Sequence, residues 1–320
     1  MILKGRSNHP YDPASTAVRP GWTVTDRLGL ACAWFMGILF CLICAALVVY
    51  VLVQGIRYLS PVLIFTNPKS GSAQGQTGGY LAPILGTLIA TGLAMLIATP
   101  VGVGLAVWLS EYARPRALAR VVESTVEMFA GAPSIVLALF GLILFQAPFM
   151  GIFSEQSAGV VYGRSFFAAA AMLALLALPL VVTSVRAGLQ AIPNHVREAS
   201  YALGKTRIAT IRRVLLPAVR PDIITGSMIG AGHALGDTAI IVFLLGDTYT
   251  LQGSGHLPLL NILRGTGSTL TSYVFDNAPT GDLNQPNKAF AAVFLLLVMV
   301  LLINLAVEVF GRRSRELKWT

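Results

Sequence analysis

The amino-acid sequence predicts an all-α membrane protein with six transmembrane helices and both termini in the cytoplasm. Hydrophobic side chains make up 55% of the 320 residues and charged ones only 12%, against roughly 25% charged in an ordinary soluble domain. Six apolar stretches each reach the length of about 20 residues that crosses the hydrocarbon core of a bilayer. The basic residues are also one-sided. With both tails and alternate loops placed together, all but five of the 23 Lys and Arg fall on that side, the exceptions being Arg57, Lys69, Arg164, Arg264 and Lys288. The positive-inside rule makes that side the cytoplasm. The net charge of +9 belongs to this asymmetry. No span interleaves basic and aromatic side chains as a nucleic-acid surface would, so the expected surroundings are membrane lipid and no nucleic acid.

Taken in order, residues 1–28 are polar, contain Pro10, Pro13 and Pro20, and read as a cytoplasmic tail. Residues 29–53 form the first transmembrane helix, too long for a signal-peptide core. Cys32, Cys41 and Cys44 all lie in it and act as small apolar side chains, with no fourth ligand for a metal and no external loop to staple. Residues 54–79 form an external loop ending in a Gly-, Ser- and Gln-rich run. A core of five further helices occupies 80–310. Its first span, 81–109, holds Pro100, Gly102 and Gly104, which predict a kink or close packing. The next, 121–145, carries Glu123 and Glu127 one turn apart, expected to snorkel or to meet Arg114 or Arg116. It should break at Gly131-Ala132-Pro133-Ser134. An external loop over 146–164 leads to the alanine-rich span 165–185. Span 223–245 has Gly226, Gly230, Gly232 and Gly236, and glycines four apart admit a neighbouring helix closely. A long polar loop over 246–288 precedes the last span, 289–310, and residues 311–320 return to the cytoplasm.

The cytoplasmic loop 187–217 differs from everything around it. Between Pro193 and Pro217 it carries Arg197, Glu198, Lys205, Arg207, Arg212 and Arg213. Val196, Ala199 and Leu203, then Ile208, Ile211 and Leu215, recur at helical spacing, with Gly204 between the two runs where a helix can end. A helix–Gly–helix with one apolar and one basic face, held at the membrane surface, has the form of a docking element; a basic loop that only fixes topology is the plain alternative. No phosphate-cradling G-x4-G-K-[ST] pattern occurs anywhere, so the chain cannot hydrolyse ATP alone. No catalytic triad or metal constellation stands out either. What remains is conduction, coupling or signalling.

The spacing Glu198-Ala199-Ser200, three residues, Gly204, nine residues, Val214-x-Leu216-Pro217 resembles the EAA loop of bacterial ABC importer permeases, E-A-A-x3-G-x9-I-x-L-P. Ser200 and Val214 are the two departures. The resemblance implies a type I-like permease core and a coupling helix that docks on a separate ATPase subunit, with Glu198, Ala199, Ser200, Gly204, Leu216 and Pro217 in the docking set. Over residues 78–310 the chain further resembles the phosphate-specific (Pst) permeases of the PstA type, through GGYLAPILGTL at 78–88, LSEYA at 109–113, GAPSIVLALF at 131–140, LPLVV at 178–182, VREASYALGKT at 196–206 and ALGDTAIIVFLLG at 234–246. This implies a bacterial or archaeal plasma membrane and a second homologous permease (PstC-like). It also implies an ATPase dimer (PstB-like) that uses the ATP, and a periplasmic or lipid-anchored phosphate-binding protein (PstS-like). No cofactor is expected on this chain.

Ionisable groups inside spans are costly and default to functional candidates. His233 and Asp237, four apart, are expected on one helix face, with Thr238 beside them, either lining a substrate path or paired with each other for packing. Ser134 follows the expected helix break, where free backbone N–H groups suit an anion; a bend for packing alone is the alternative. The family's arginine stands at His233, its glutamate at Asp237, and the glutamate that closes its R-T-T-E run falls at Arg186. These departures leave a permease for another oxyanion, sulfate or molybdate, as an alternative substrate reading. An ion-coupled secondary transporter and a membrane sensor are the readings from other classes.

Overall fold

The computed structural model describes residues 24–59, 61–66, 79–154, 163–246, 262–279, 281 and 285–316. The expectations for residues 1–23 of the N-terminal tail, for the Gly-rich run before Gly79, for residues 155–162, 247–261, 280 and 282–284 of the expected external loops and for the last four residues lie outside them. All regular structure among the described residues is helical.

The chain divides into two compact units, residues 1–50 and 51–320. The first contains most of α1 (Val24–Tyr58). At 35 residues α1 is about 50 Å long, more than the hydrocarbon core requires, and its apolar side chains, Trp34, Phe35, Leu42 and Leu47 among them, are exposed. That suits a helix whose solvent is lipid. All three cysteines are free and exposed on it.

The second unit is built on α3 (Leu81–Val107) and α6 (Phe166–Ala191). Ala90, Ala94 and Ala98 of α3 share one buried cluster with Ala168 to Ala170, Ala174 and Ala177 of α6, and small side chains let the two backbones pack closely where lipid supplies no hydrophobic drive. Pro100 lies inside α3 without ending it, and Gly102 meets Val181 of α6. The helix finishes in a π-helical turn, Trp108–Tyr112. Next in order come α4 (Arg116–Gly131) and α5 (Ser134–Phe145). After α6 the chain forms α7 (Asn194–Ala202), α8 (Arg207–Thr210) and the short α9 (Leu216–Ala218). The expected span 5 is α10 (Arg220–Gly236) followed by α11 (Ala239–Leu244). Two further helices, α12 (Leu270–Asn277) and α13 (Pro286–Glu316), follow, and the small α2 (Pro61–Ile64) lies before α3 in the chain.

Among the described residues four helices are long and apolar enough to cross a membrane, beginning at Val24, Leu81, Phe166 and Pro286. The other two expected spans are interrupted. The pair α4 and α5 bends by 108° at Ala132 and Pro133, both extended with ψ of 131° and 133°. The predicted break is therefore present, but 121–145 is not one rod. α4 is amphipathic, with Arg116, Arg120, Glu123 and Glu127 at helical spacing on one face, and α5 alone, at 12 residues, is about 18 Å long. The second interruption, between α10 and α11, was not expected.

The glycine spacing on α10 does what it predicts, for half of its members. A side chain on Gly226 would press on Ser184 and Val181 of α6, and one on Gly230 would meet Ala177 and Met95. Gly232 and Gly236 face open space. At the other end of α3, Gly86 lies against the Ser268 carbonyl, and Thr87 Oγ1 accepts from the Leu270 N–H at 2.9 Å while donating to the Pro83 carbonyl. Tyr80 and Tyr273 are buried edge-to-face beside this contact, 5.4 Å between centroids. Burial pushes the Tyr273 phenol up to about 12 and raises that of Tyr80 as well, with Tyr273 adding to it.

Candidate coupling surface and substrate path

The loop after α6 begins with α7, entered through Pro193, whose missing N–H costs nothing at a helix start. It ends in a Schellman turn. The Lys205 N–H returns to the Ser200 carbonyl at 3.2 Å and the Gly204 N–H to that of Tyr201 at 2.9 Å. Gly204 takes φ of +74°, a conformation that glycine adopts without steric cost. Thr206 then caps α8 by accepting from the Ala209 N–H. The Gly204 expected between two helical runs is thus the turn itself.

One side of this loop is fastened inward. Ser200 Oγ and Thr210 Oγ1 lie 2.9 Å apart, joining α7 to α8, and both residues are buried. Arg197 donates through Nε to Glu111 Oε1 at 3.0 Å, through Nη1 to the Ile192 carbonyl at 2.7 Å and through Nη2 to the Leu189 carbonyl at 2.8 Å. The Arg207 guanidinium stacks over Tyr112, 4.5 Å from the ring centroid. Ile211 and Leu215 are buried in a cluster with Ala106, Val185 and Leu189, with Leu216 packed against it. The other side is open. Glu198, Ala199 and Gly204 are exposed, as are Tyr201, Leu203 and Ile208, the last two at 79% and 71%. Of the six residues in the expected docking set, the structure therefore places Glu198, Ala199 and Gly204 outward. Ser200 is buried, and Leu216 and Pro217 are partly buried.

The expected substrate-path residues separate into two places. Asp237 does not continue α10. Its backbone is extended (ψ 119°), and its Oδ1 accepts from the Ile240 N–H at 2.7 Å, capping α11. Among the described residues no hydrogen bond or ion pair joins Asp237 to His233, so the alternative in which the two satisfy each other draws no support. His233 is exposed on α10 beside the open glycines Gly232 and Gly236, and Thr238 is partly buried at the break. Ser134 opens α5. The two broken elements meet, since Leu137, Ala138 and Phe145 of α5 share a buried cluster with Ile240, Ile241 and Leu244 of α11. Arg186 is elsewhere, on α6, paired with Glu123 of α4. That corrects the expectation that Glu123 meets Arg114 or Arg116. α4 packs across α6, so the nearest cation is on the neighbouring helix and not in the preceding loop. Among the described residues the Nε of Arg186 has no hydrogen-bond partner.

Arg197, Glu111 and Tyr112 are the residues that sequence reasoning missed as a group. Arg197 was one more basic side chain in the loop and Glu111 one letter of LSEYA. Their only advance signal was an acidic residue at the inner end of an apolar span.

Comparison with known proteins gives one consistent picture. Residues 98–316 match the family described as binding-protein-dependent transport system inner membrane component. The chain is 30% identical over 257 residues to the phosphate transport system permease protein PstC of Mesorhizobium japonicum, covering 76% of each chain. It is 33% identical over 229 residues to the phosphate transport system permease protein PstA 1 of Mycobacterium tuberculosis, covering 72% of this chain and 69% of that one. Among solved structures, the inward-facing MetNI methionine ABC transporter aligns with a TM-score of 0.55 at 22% identity, over 72% of this chain and 94% of that one. A bacterial alginate ABC transporter in complex with an alginate pentasaccharide-bound periplasmic protein aligns with 0.61 at 18%, over 90% and 95%. At those identities the structures are similar in fold.

Proposed function

This chain belongs to the family of binding-protein-dependent transport system inner membrane components, and from that premise we propose that it is the permease subunit of an ATP-driven importer of inorganic phosphate. The coupling part of this reading is carried by the two-sided loop. Its inner side is bonded to the ends of α3 and α6, while Glu198, Ala199, Leu203 and Ile208 stand free, the face a separate ATPase would take. The phosphate part is supported by two relatives named for phosphate transport, which this chain matches at 30% and 33% identity.

In the proposed mechanism ATP closes an ATPase dimer beneath the loop and α7 moves with it. The helices behind it then open outward to receive phosphate from a periplasmic or lipid-anchored binding protein. His233, Asp237, Thr238 and Ser134 border the path at the two helix breaks, opposite a second, homologous permease. Backbone N–H groups freed where helices break are the donors an anion needs. Arg186, held by Glu123, is the cation of this set. An ion-coupled secondary transporter draws no support from the family match.

The test is a pull-down of this chain from its native membrane. An ATPase that copurifies and is stimulated by phosphate-loaded binding protein supports the proposal. An ATPase indifferent to phosphate moves the substrate to another oxyanion, and no ATPase at all contradicts the coupling assignment.

A further inference from the structure

We propose that Arg197 is the positioning residue of the coupling loop: with Glu111 it fastens the docking helix to the inner ends of both α3 and α6, so that displacement of α7 is passed to both. The proposal rests on the permease reading above and adds to it the residues through which force leaves the loop.

A helix of nine residues, as α7 is, does not hold its place alone in water. Whatever fixes α7 therefore decides where a push on it goes. The three bonds of Arg197 answer this. Two run to the carbonyls of Leu189 and Ile192, at the last turn of α6, where no i+4 N–H returns to them and Leu189 has only the 3.4 Å bond from the Ile192 N–H, and a cation there also suits the negative end of the helix. The third runs to Glu111, in the π-helical turn that closes α3. The Glu111 side chain is 5% exposed and that of Arg197 17%. A carboxylate so enclosed needs a partner, and Arg197 supplies the ion pair. One planar guanidinium thus ties three segments, and lysine cannot reproduce that geometry because its single ammonium has no fork. Arg207 stacked on Tyr112 repeats the link from the second half of the loop to the same turn of α3.

What α3 and α6 do with the displacement is written at their other ends. They pack along the Ala90–Ala98 face, and the outer end of α3 holds the segment before α12 through Gly86 and Thr87. Arg197 therefore sits where the docking face joins the two helices that reach the outer polar contact.

The experiment uses the complex purified with its ATPase, reconstituted and supplied with phosphate-loaded binding protein. Three quantities are read: ATPase recovered per permease, ATP hydrolysed, and phosphate moved per ATP. For Arg197→Ala the expected result is wild-type ATPase recovery with phosphate moved per ATP lowered about tenfold. Arg197→Lys, which keeps the charge and loses the fork, should recover part of that loss. Glu111→Gln, nearly isosteric, should show a smaller loss of the same kind, and it decides the matter if Arg197→Ala fails to accumulate. Unchanged phosphate per ATP in the Arg197 and Glu111 variants overturns the proposal, as does ATPase recovery that falls in step with transport. Absence of an ATPase from the wild-type complex would overturn instead the permease reading on which the proposal rests.

Discussion

The hydroxyls of Ser200 and Thr210 lie 2.9 Å apart with both residues buried. Thr210 Oγ1 also lies 3.1 Å from the Thr206 carbonyl, to which it donates, so its one proton is used and Ser200 must be the donor between the two. This orders the consequences of losing either. Ser200→Ala removes a donor whose acceptor keeps another bond, and should cost about 1 kcal/mol or less. Thr210→Val strands the Ser200 hydroxyl in a buried place and should cost about 1–3 kcal/mol. Melting of the purified chain in detergent checks the order, and a larger effect from Ser200→Ala would contradict it.

Gly226 and Gly232 of the same helix should respond in opposite senses. A Cβ on Gly226 would stand 2.8 Å from that of Ser184, so Gly226→Ala should destabilise by about 1–3 kcal/mol as α10 is pushed from α6. At Gly232 nothing lies within 4 Å, and Gly232→Ala should be neutral or stabilise by up to about 1 kcal/mol through helix propensity. If Gly232 borders the substrate path, that variant lowers uptake while its melting temperature holds. Equal melting temperatures for the two variants would refute the packing assignment.

Asp237 has two separable tasks, a cap and a charge. Asparagine caps about as well as aspartate, whereas alanine gives up about 1 kcal/mol. Asp237→Asn should therefore melt with the wild type, and Asp237→Ala below it. A fall in phosphate uptake with Asp237→Asn, at unchanged melting temperature, is expected if the carboxylate borders the path. Full uptake with asparagine would reduce Asp237 to its cap.

Glu123 and Arg186 are joined across 63 positions of sequence, and both side chains keep some exposure, 38% and 28%. Their removal should be non-additive. Glu123→Gln, Arg186→Gln and the double variant, compared by melting, should give a coupling of about 0.5–3 kcal/mol, the range for contacting residues. Additive losses would mean that the pair does not hold α4 to α6.

How far the sequence was legible follows from the range of each interaction. The Gly204 turn, the Gly226 and Gly230 contact face and the break before Ser134 were readable because each depends on residues within a few positions. The break after Gly236 was local too, yet it was missed. Asp237 four residues after His233 fits a helical pair as well as it fits a cap, and only its bond to Ile240 distinguishes the two. Arg197 with Glu111 and Arg186 with Glu123 had no local signal at all. Those pairs exist because α3, α4, α6 and α7 converge, and charge spacing along one chain does not encode convergence. The distribution of the basic residues along the chain set the expected topology, but it did not give their partners.

The most direct measurement is uptake of radiolabelled phosphate into proteoliposomes that hold this chain with the permease and ATPase recovered alongside it, in the presence of the binding protein. The account predicts uptake that requires hydrolysable ATP inside the ATPase compartment, is competed by unlabelled phosphate and is indifferent to sulfate and molybdate. Uptake that follows sulfate or molybdate instead, or that proceeds on an ion gradient with the ATPase left out, would contradict it.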